Sequence, residues 1–359
     1  MVRLLKVVLA VSLLGPLACG GDKSTTTTLP TSPTSPATPS GMVVAPLRDA
    51  AQGAGKLVGA AVQSGLLADG RYGGVLSRHF NYLTAEYEMK WDAIERTRGA
   101  NNFAAGDAIV AYGQSTGMKI KGHALIWHGS VPSWVGSLSS DDLRVAFEQH
   151  IRSVVEHFRG RVLAWDVVNE AIADDGSGLR DTVFRQKLGD QYIADAFRIA
   201  RQADPQARLF YNDYGGEGLS QKSNRIYDLV QSLRAQGVPI DGVGLQMHIT
   251  GSNPPSEASV ASNMSRLASL GLLVNISEMD VRIRDLPATT RLETQRAVYR
   301  SMVSVCVAEP QCDAVTFWGF TDAYSWIDAQ FGADDPLLFD DNYGAKPAYN
   351  GVFDALSRR

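Results

Sequence analysis

Short apolar segments alternate with longer stretches along the chain from residue 42 onward. The segments are rich in β-branched and aliphatic residues, which is typical of buried parallel strands. The stretches between them carry apolar residues at helical spacing, most clearly at 143–158 and 226–233. The pattern predicts eight strands, near residues 56–62, 80–84, 119–125, 162–168, 208–212, 242–247, 272–277 and 314–318.

Eight strands that alternate with helices predict an α/β fold, a single (β/α)8 TIM barrel. Such a barrel needs no second domain at this length, so residues 42–359 are assigned to one catalytic domain. Reacting groups in this fold lie where strands end, at the carboxyl face of the barrel. Polar residues follow the predicted strands of this chain one after another, and we expect them to converge on one cleft.

Two glutamates stand out in this set. Glu170 ends WDVVNE (165–170) and Glu278 lies in VNISEMD (274–280). Two carboxyl groups that face one cleft are the usual means of cutting a glycosidic bond, because one donates a proton and the other attacks the sugar carbon. Asp280 shares a strand face with Glu278 through the two-residue alternation. With His248 between them, we predict a relay that keeps the nucleophile ionised.

Composition favours a neutral or weakly charged substrate. The chain has 359 residues, is 45% hydrophobic, and has a formal net charge of -4 with interspersed signs. It therefore offers no basic stripe for nucleic acid and no polybasic surface for anionic lipid. We predict a monomer that uses no metal and no other cofactor.

The N-terminus predicts export. Arg3 and Lys6 precede an apolar run at 7–14, which is too short to span a membrane, so residues 1–18 are assigned to a signal peptide. Small residues around Cys19 suggest lipidation and an outer-membrane or cell-surface lipoprotein, and simple secretion is the alternative because Pro16 is unusual in such signals. Residues 19–41 are assigned to a linker, since 15 of the 18 residues at 23–40 are Ser, Thr or Pro.

Three cysteines leave a question of pairing. Cys306 and Cys312 flank a five-residue segment just before a predicted strand, and in an exported chain we expect them to form a disulfide. Cys19 is then the lipid acceptor. The alternative is a pair of buried free thiols.

Several motifs in fixed order resemble glycoside hydrolase family 10, the retaining β-1,4-xylanases with a barrel fold. The likeness runs from about residue 46 to the C-terminus. It is carried by TAEYEMKW (84–91), GHALIWH (122–128), WDVVNEAI (165–172), YNDY (211–214), QMH (246–248), SEMD (277–280), TFWGFTDAYSW (316–326) and PLLFD with KPAY (336–349).

The resemblance implies an endo-1,4-β-xylanase that acts on xylan or xylo-oligosaccharides by double displacement with net retention. Glu170 would be the general acid/base and Glu278 the nucleophile, with Asn169 bonded to the sugar 2-hydroxyl. Further binding residues would be Glu86, Tyr87, Lys90, His123, Trp127, Gln246, Trp318 and Trp326 on the glycone side and in the pocket, and Tyr214, with Asn212 and Asp213, near the leaving group.

Three positions depart from the usual pattern of the family. Tyr87 stands where most members have Asn, Ser130 replaces a common Gln, and Gly215 replaces a common Asn. The resemblance implies that the first two touch the glycone and the third the aglycone. The balance between endo and exo action and the tolerance of branches therefore stay open.

Three other functions compete with this interpretation. A retaining β-glycosidase of another specificity, acting on chain ends, mixed glucan or aryl glycosides, is the main alternative. A catalytically inactive, surface-tethered carbohydrate-binding protein is the non-enzyme alternative. A metal-dependent barrel hydrolase would use His123, His128 and His248, but the chain lacks the paired histidines that such sites show at the end of a first strand.

Overall fold

The computed structural model describes residues 45–357, so the predicted signal peptide, Cys19 and the linker lie outside the described residues. Parallel strands of this part form a closed ring in which each strand pairs with the next, and the strand at 273–282 pairs with the one at 312–317 to close it; numbered in chain order as given below, the ring runs β10-β1-β2-β3-β5-β6-β7-β9. The prediction of a (β/α)8 barrel is confirmed. The strands are β1 Leu57–Val62, β2 Tyr82–Ala85, β3 Lys119–Gly122, β4 Ile126–Trp127, β5 Ala164–Asn169, β6 Arg208–Asp213, β7 Gly242–Leu245, β8 His248–Thr250, β9 Leu273–Arg282 and β10 Cys312–Phe317.

Helices pack around the barrel, and the helix Ser140–Phe158, α5, shows how the sequence builds them. The Ser139 side chain caps its first turn by accepting from the Asp142 N–H at 3.1 Å, and Leu143, Ile151 and Phe158 lie on the buried face. Across the described residues, none of the helices is long and apolar enough to cross a membrane. The helices are α1 Leu47–Gly53, α2 Gly70–His79, α3 Trp91–Ile94, α4 Ala104–Ser115, α5 Ser140–Phe158, α6 Val183–Leu188, α7 Tyr192–Ala203, α8 Gln221–Ala235, α9 Glu257–Ala268, α10 Arg291–Ala308, α11 Trp326–Phe331 and α12 Pro347–Leu356.

Two strand boundaries differ from the prediction in ways that matter for the site. The third barrel strand ends at Gly122 rather than Leu125, and the chain resumes pairing in β4, where Trp127 lies opposite Asn169. The seventh barrel strand, β9, continues to Arg282 because the short strand β8 pairs with its outer half. Glu278 and Asp280 are therefore held inside a strand and not in a loop beyond it.

Cys306 and Cys312 form the predicted disulfide. It joins the end of α10 to the start of β10, and both residues are fully buried. The bridge closes a short loop at the amino end of the last barrel strand.

Candidate active site

The predicted site residues converge at the carboxyl face of the barrel. All of them except Asn212, Asp213 and Asp280 line one cavity of about 540 Å³. Asp280 is fully buried behind His248. The predicted residues that line the cavity are Glu86, Tyr87, Lys90, His123, Trp127, Asn169, Glu170, Tyr214, Gln246, His248, Glu278, Trp318 and Trp326.

Three N–H donors hold the carboxyl group of Glu170. Trp127 Nε1 donates to Oε2 at 2.7 Å, while Gln246 Nε2 and Asn169 Nδ2 donate to Oε1 at 3.0 and 3.3 Å. The Glu170 backbone has φ 58°, a conformation that is rare for residues other than glycine and that is found where function over-determines the backbone. The turn directs the side chain into the cavity at the end of β5.

Glu278 lies opposite, in a different hydrogen-bond environment. Its side chain is almost fully buried, and Oε1 accepts from Asn212 Nδ2 at 2.6 Å. Its Oε2 lies 3.3 Å from His248 Nε2, and His248 Nδ1 lies 2.7 Å from Asp280 Oδ2. Trp326 Nε1 donates to the same Asp280 oxygen at 2.9 Å. The carboxylate–imidazole–carboxylate arrangement predicted from the sequence is present in this geometry.

The environment of Glu278 favours its ionised form. Burial by itself would raise the pKa of this carboxyl, but the charge of His123 and the contacts with His248 and Asn212 outweigh it and lower the pKa to about 2. Burial would likewise lower the pKa of His248, and the Asp280 and Glu278 carboxylates raise it to about 10. The imidazolium and the two carboxylates therefore stabilise one another.

An amide network joins the two glutamates. Asn212 Nδ2, which bonds Glu278, also donates to Asn169 Oδ1 at 2.8 Å, and Gln246 Nε2 reaches the same oxygen at 3.2 Å. Ser277 Oγ donates to Asn212 Oδ1 at 2.6 Å and fixes the orientation of that amide. The separation between the glutamates is thus set by strands β5, β6 and β9 and not by mobile loops.

Indole rings and a lysine form the wall near Glu86. Lys90 Nζ lies 4.5 Å from the ring of Trp127 and 5.9 Å from that of Trp318. Burial raises the pKa of the Glu86 carboxyl, which accepts from Gln63 at 3.2 Å. Apolar ring faces beside a few fixed polar groups are suited to the C–H faces and hydroxyls of a sugar.

His123 is held from behind by buried charges. Its Nδ1 lies 2.9 Å from Asp166 Oδ2, and Asp166 Oδ1 lies 2.8 Å from Lys121 Nζ. The same histidine nitrogen is 3.8 Å from Glu278 Oε1. The interior of the barrel thereby positions the imidazole against the predicted nucleophile.

Tyr214 lines the cavity from the end of β6, but its two neighbours do not behave as expected. Asn212 and Asp213 are fully buried and cannot meet a leaving group. Asn212 instead bonds Glu278, and Asp213 Oδ1 pairs with Lys222 Nζ at 2.9 Å. Lys222 in turn lies 3.6 Å from the centre of the Tyr214 ring, so this ion pair supports the tyrosine.

Two of the three departures from the family pattern belong to one hydrogen-bonded unit. Tyr87 lines the cavity with 43% of its surface exposed, and its hydroxyl donates to Asp92 Oδ2 at 2.9 Å. The Ser130 hydroxyl donates to the other oxygen of Asp92. Ser130 is buried and does not line the cavity, so the expectation that it touches the glycone is wrong.

Gly215 is exposed and lies outside the cavity wall, and its expected contact with the aglycone stays a prediction. It has φ +67°, and its N–H donates to Glu217 Oε1 at 3.0 Å. Glycine and asparagine are the residues that tolerate this backbone region best. The positive φ of the turn therefore explains why Gly215 can stand where other members have Asn.

The sequence reasoning missed one end of the cavity. Arg282 and the residues of α11 complete its lining there, beyond Trp326. Arg282 could have been found, because it continues the alternation of Glu278 and Asp280 along β9. The others depend on how the segment after β10 folds back. They are Ile327, Gln330 and Phe331.

Residues 45–357 contain no candidate metal-binding site. No group of three or more His, Cys, Asp or Glu side chains in this part of the chain has the arrangement of a metal site. His123 and His248, two of the three histidines that such a site would use, each face carboxylates instead.

Comparison with known proteins decides the family. The model described as "Glycosyl hydrolase family 10" matches residues 46–355. The chain belongs to this family. The family 10 chain is 40% identical over 309 residues to an endo-1,4-β-xylanase of Agaricus bisporus, covering 84% of this chain and 92% of the relative. It is also 40% identical over 296 residues to endo-1,4-β-xylanase B of Thermotoga neapolitana, covering 80% and 84%.

Solved structures of family 10 agree with this assignment. The crystal structure of native xylanase 10B from Thermotoga maritima superposes with a TM-score of 0.83 at 40% identity, covering 87% of this chain and 98% of that one. Xylanase 10B from Thermotoga petrophila RKU-1, solved in complex with xylobiose, gives a TM-score of 0.84 at 38% identity, covering 88% and 98%.

Replacing His248 by asparagine is expected to move the acid limb of the kcat/KM profile of this family 10 chain to higher pH, by about one unit. His248 holds the pKa of Glu278 low, so loss of the imidazolium lets the carboxyl take up a proton at a higher pH. Rates on a soluble aryl glycoside from about pH 2 upward measure the limb, because the Glu278 pKa of about 2 places the wild-type limb at the acid end of the range. An acid limb that coincides with that of the wild type would contradict the relay.

Proposed function

We propose that this chain is an endo-1,4-β-xylanase that hydrolyses internal bonds of xylan by double displacement with net retention. The observation that carries the proposal is the pair of glutamates in one aromatic-walled cavity, one kept ionised by His123 and His248 and the other held by Trp127 and Gln246. The family assignment and the xylanase names of the relatives support the choice of substrate.

In the first step, the Glu278 carboxylate attacks the anomeric carbon. The bond from that carbon to the leaving oxygen breaks, and Glu170 transfers its proton to the oxygen, so the aglycone departs as an alcohol. Asn169, which is held by Asn212 and Gln246, is positioned to bond the 2-hydroxyl of the reacting sugar. That contact strengthens as the ring flattens and therefore lowers the barrier.

In the second step, the Glu170 carboxylate takes a proton from water, and the water oxygen attacks the same carbon from the vacated face. The ester bond to Glu278 breaks and the carboxylate is restored. The ion pair of His248 with Asp280 makes Glu278 a better leaving group, because it stabilises the returning negative charge.

Proton NMR of the first products from a β-linked xylo-oligosaccharide tests the proposed mechanism. We expect the β-anomer to appear first and the α-anomer only through mutarotation, since two inversions give net retention. An initial α-anomer would mean that water attacks directly, and the role of Glu278 as a nucleophile would be wrong. Sizing of the products from xylan and from mixed glucan separates this function from the alternative specificities.

Tyr87→Asn is expected to shift products toward xylobiose and to raise kcat/KM on unbranched xylo-oligosaccharides about 5-fold, roughly the value of one hydrogen bond. The phenol hydroxyl is committed to Asp92, whereas an amide could face the sugar. Timed digests of xylotetraose and xylopentaose measure both quantities.

Ser130 provides the control for this substitution, because it shares Asp92 with Tyr87. Ser130→Ala loosens Asp92 without altering the cavity wall, so it should leave the product pattern as it is. Equal shifts of the product pattern in the two variants would assign the effect to Asp92 and not to the contact of residue 87 with the sugar.

Export and anchoring of a monomeric enzyme through Cys19 complete the proposal. The support is the basic and apolar run before Cys19 and the Ser/Thr/Pro-rich linker after it. Incorporation of labelled palmitate into the wild type but not into Cys19→Ala is the expected result, and label in neither protein would favour simple secretion.

A further inference from the structure

Arg282 is the notable residue at the end of the cavity that the mechanism above does not use. It lies two residues beyond Asp280 on β9, so its Cα is about 7 Å farther along the strand on the same face. Thr250 is its partner in the pairing of β8 with β9. The side chain is half-buried and lines the cavity that holds Glu170 and Glu278.

The guanidinium of Arg282 rests on an aromatic ring. Its Cζ lies 4.2 Å from the centre of the Phe331 ring, and Phe331 packs edge-on against Trp326 with the ring centres 5.7 Å apart. Trp326 is bonded to Asp280. This packing fixes the position of the Arg282 guanidinium in the wall of the cleft and leaves its N–H groups free to donate hydrogen bonds to a ligand.

Within residues 45–357, the Arg282 guanidinium has neither an ion pair nor a hydrogen bond, and its neighbour behaves differently. Arg284 donates to the Phe331 carbonyl and lies 3.8 Å from Asp285. Arg180, on the Glu170 side, donates to the Glu170 and Ile172 carbonyls. A cation that faces a substrate cleft without a carboxylate partner is unusual, because most partly buried charges are compensated.

We infer that Arg282 recognises a carboxylate on the polysaccharide, so that the preferred substrate is a xylan with uronic acid branches. This inference rests on the proposed xylanase activity and deepens it. A planar guanidinium presents its donors as a fork that matches a carboxylate, and stacking on Phe331 fixes the plane of that fork. An unbranched xylan carries no charge and therefore offers the Arg282 guanidinium no carboxylate to pair with.

The test compares two polymers that differ only in charge. Glucuronoxylan is used as such and after reduction of its carboxyl groups to alcohols, and kcat/KM is measured on both. The wild type should prefer the acidic polymer about 5-fold, which is the size expected of a half-exposed charged hydrogen bond. The preference should shrink at high salt because the pair is partly screened.

Variants assign the preference to one side chain. Arg282→Gln should bring the ratio of the two rates close to one, while Arg282→Lys should keep part of it, since the charge remains but the fork is lost. Arg291→Gln is the matched control, because Arg291 begins α10 and does not line the cavity, and it should keep the wild-type ratio. Thermal unfolding of each variant checks that the fold is intact.

The outcomes separate the two proposals. Wild-type enzyme that hydrolyses both polymers at equal kcat/KM, or an Arg291→Gln variant that loses the preference as fully as Arg282→Gln, would overturn the role of Arg282 and leave the xylanase intact. Wild-type enzyme that hydrolyses neither of these polymers nor unbranched xylo-oligosaccharides would overturn the proposed function itself.

Discussion

Glu278→Gln is expected to abolish turnover on every glycoside, with a fall in kcat of at least about 10⁴-fold. Glutamine keeps the size of the side chain but cannot form the glycosyl ester, whatever the leaving group. It also removes the negative charge that His248 and Asn212 surround. Initial rates on xylan and on a dinitrophenyl β-xylobioside measure the loss, and measurable turnover of the activated glycoside at near wild-type rate would contradict the assignment.

Added azide sharpens this experiment. In Glu278→Ala, the small anion can occupy the vacated space and attack the anomeric carbon of the dinitrophenyl glycoside from the nucleophile's face. The phenolate leaves as the carbon–nitrogen bond forms, so the product should be the α-glycosyl azide. A β-azide would place the missing carboxylate on the other face of the sugar.

Glu170→Ala should give a different pattern of loss. On xylan we expect kcat/KM to fall about 10²- to 10⁴-fold, because a poor leaving group needs its proton. On a dinitrophenyl glycoside, whose leaving group needs no acid, kcat/KM should stay within about tenfold of the wild-type value. Rates on aryl glycosides of graded leaving-group acidity display the asymmetry.

Azide again provides the control, this time with the opposite stereochemistry. In Glu170→Ala, the anion replaces the water that attacks the glycosyl ester, so the product should be the β-glycosyl azide and the rate should rise. An equal loss on activated and unactivated substrates would show that Glu170 is not the acid. The two azide products together assign each glutamate to one face of the sugar.

Strand count and site membership were within reach of the sequence. Buried parallel strands appear as continuous apolar runs, and the carboxyl ends of parallel strands meet on one face of a barrel. The residues that follow those runs, from Glu86 to Trp326, could therefore be assigned to one cleft before any distance was known. Their catalytic and binding roles stay predictions until the variants are measured.

Hydrogen-bond partners were the weakest part of the prediction. Asn212 was expected near the leaving group and instead bonds Glu278. The reason is that β6 lies between β5 and β7, and the Asn212 side chain is directed into the barrel. Ser130 was expected at the sugar and instead bonds Asp92. Local periodicity indicates the face on which a side chain lies, but not which of several neighbours it meets.

The sequence by itself determined the barrel and the two glutamates that face one cleft, and it favoured a disulfide between Cys306 and Cys312 over free thiols. Each of these follows from local pattern or from short spacing along the chain. Only the tertiary structure decided the Asp92 unit that joins Tyr87 to Ser130, and the stacking of Arg282 on Phe331 at one end of the cavity. The Ser130–Asp92 and Arg282–Phe331 contacts join residues 38 and 49 positions apart, and they depend on strand register and loop packing, which neither segment encodes alone.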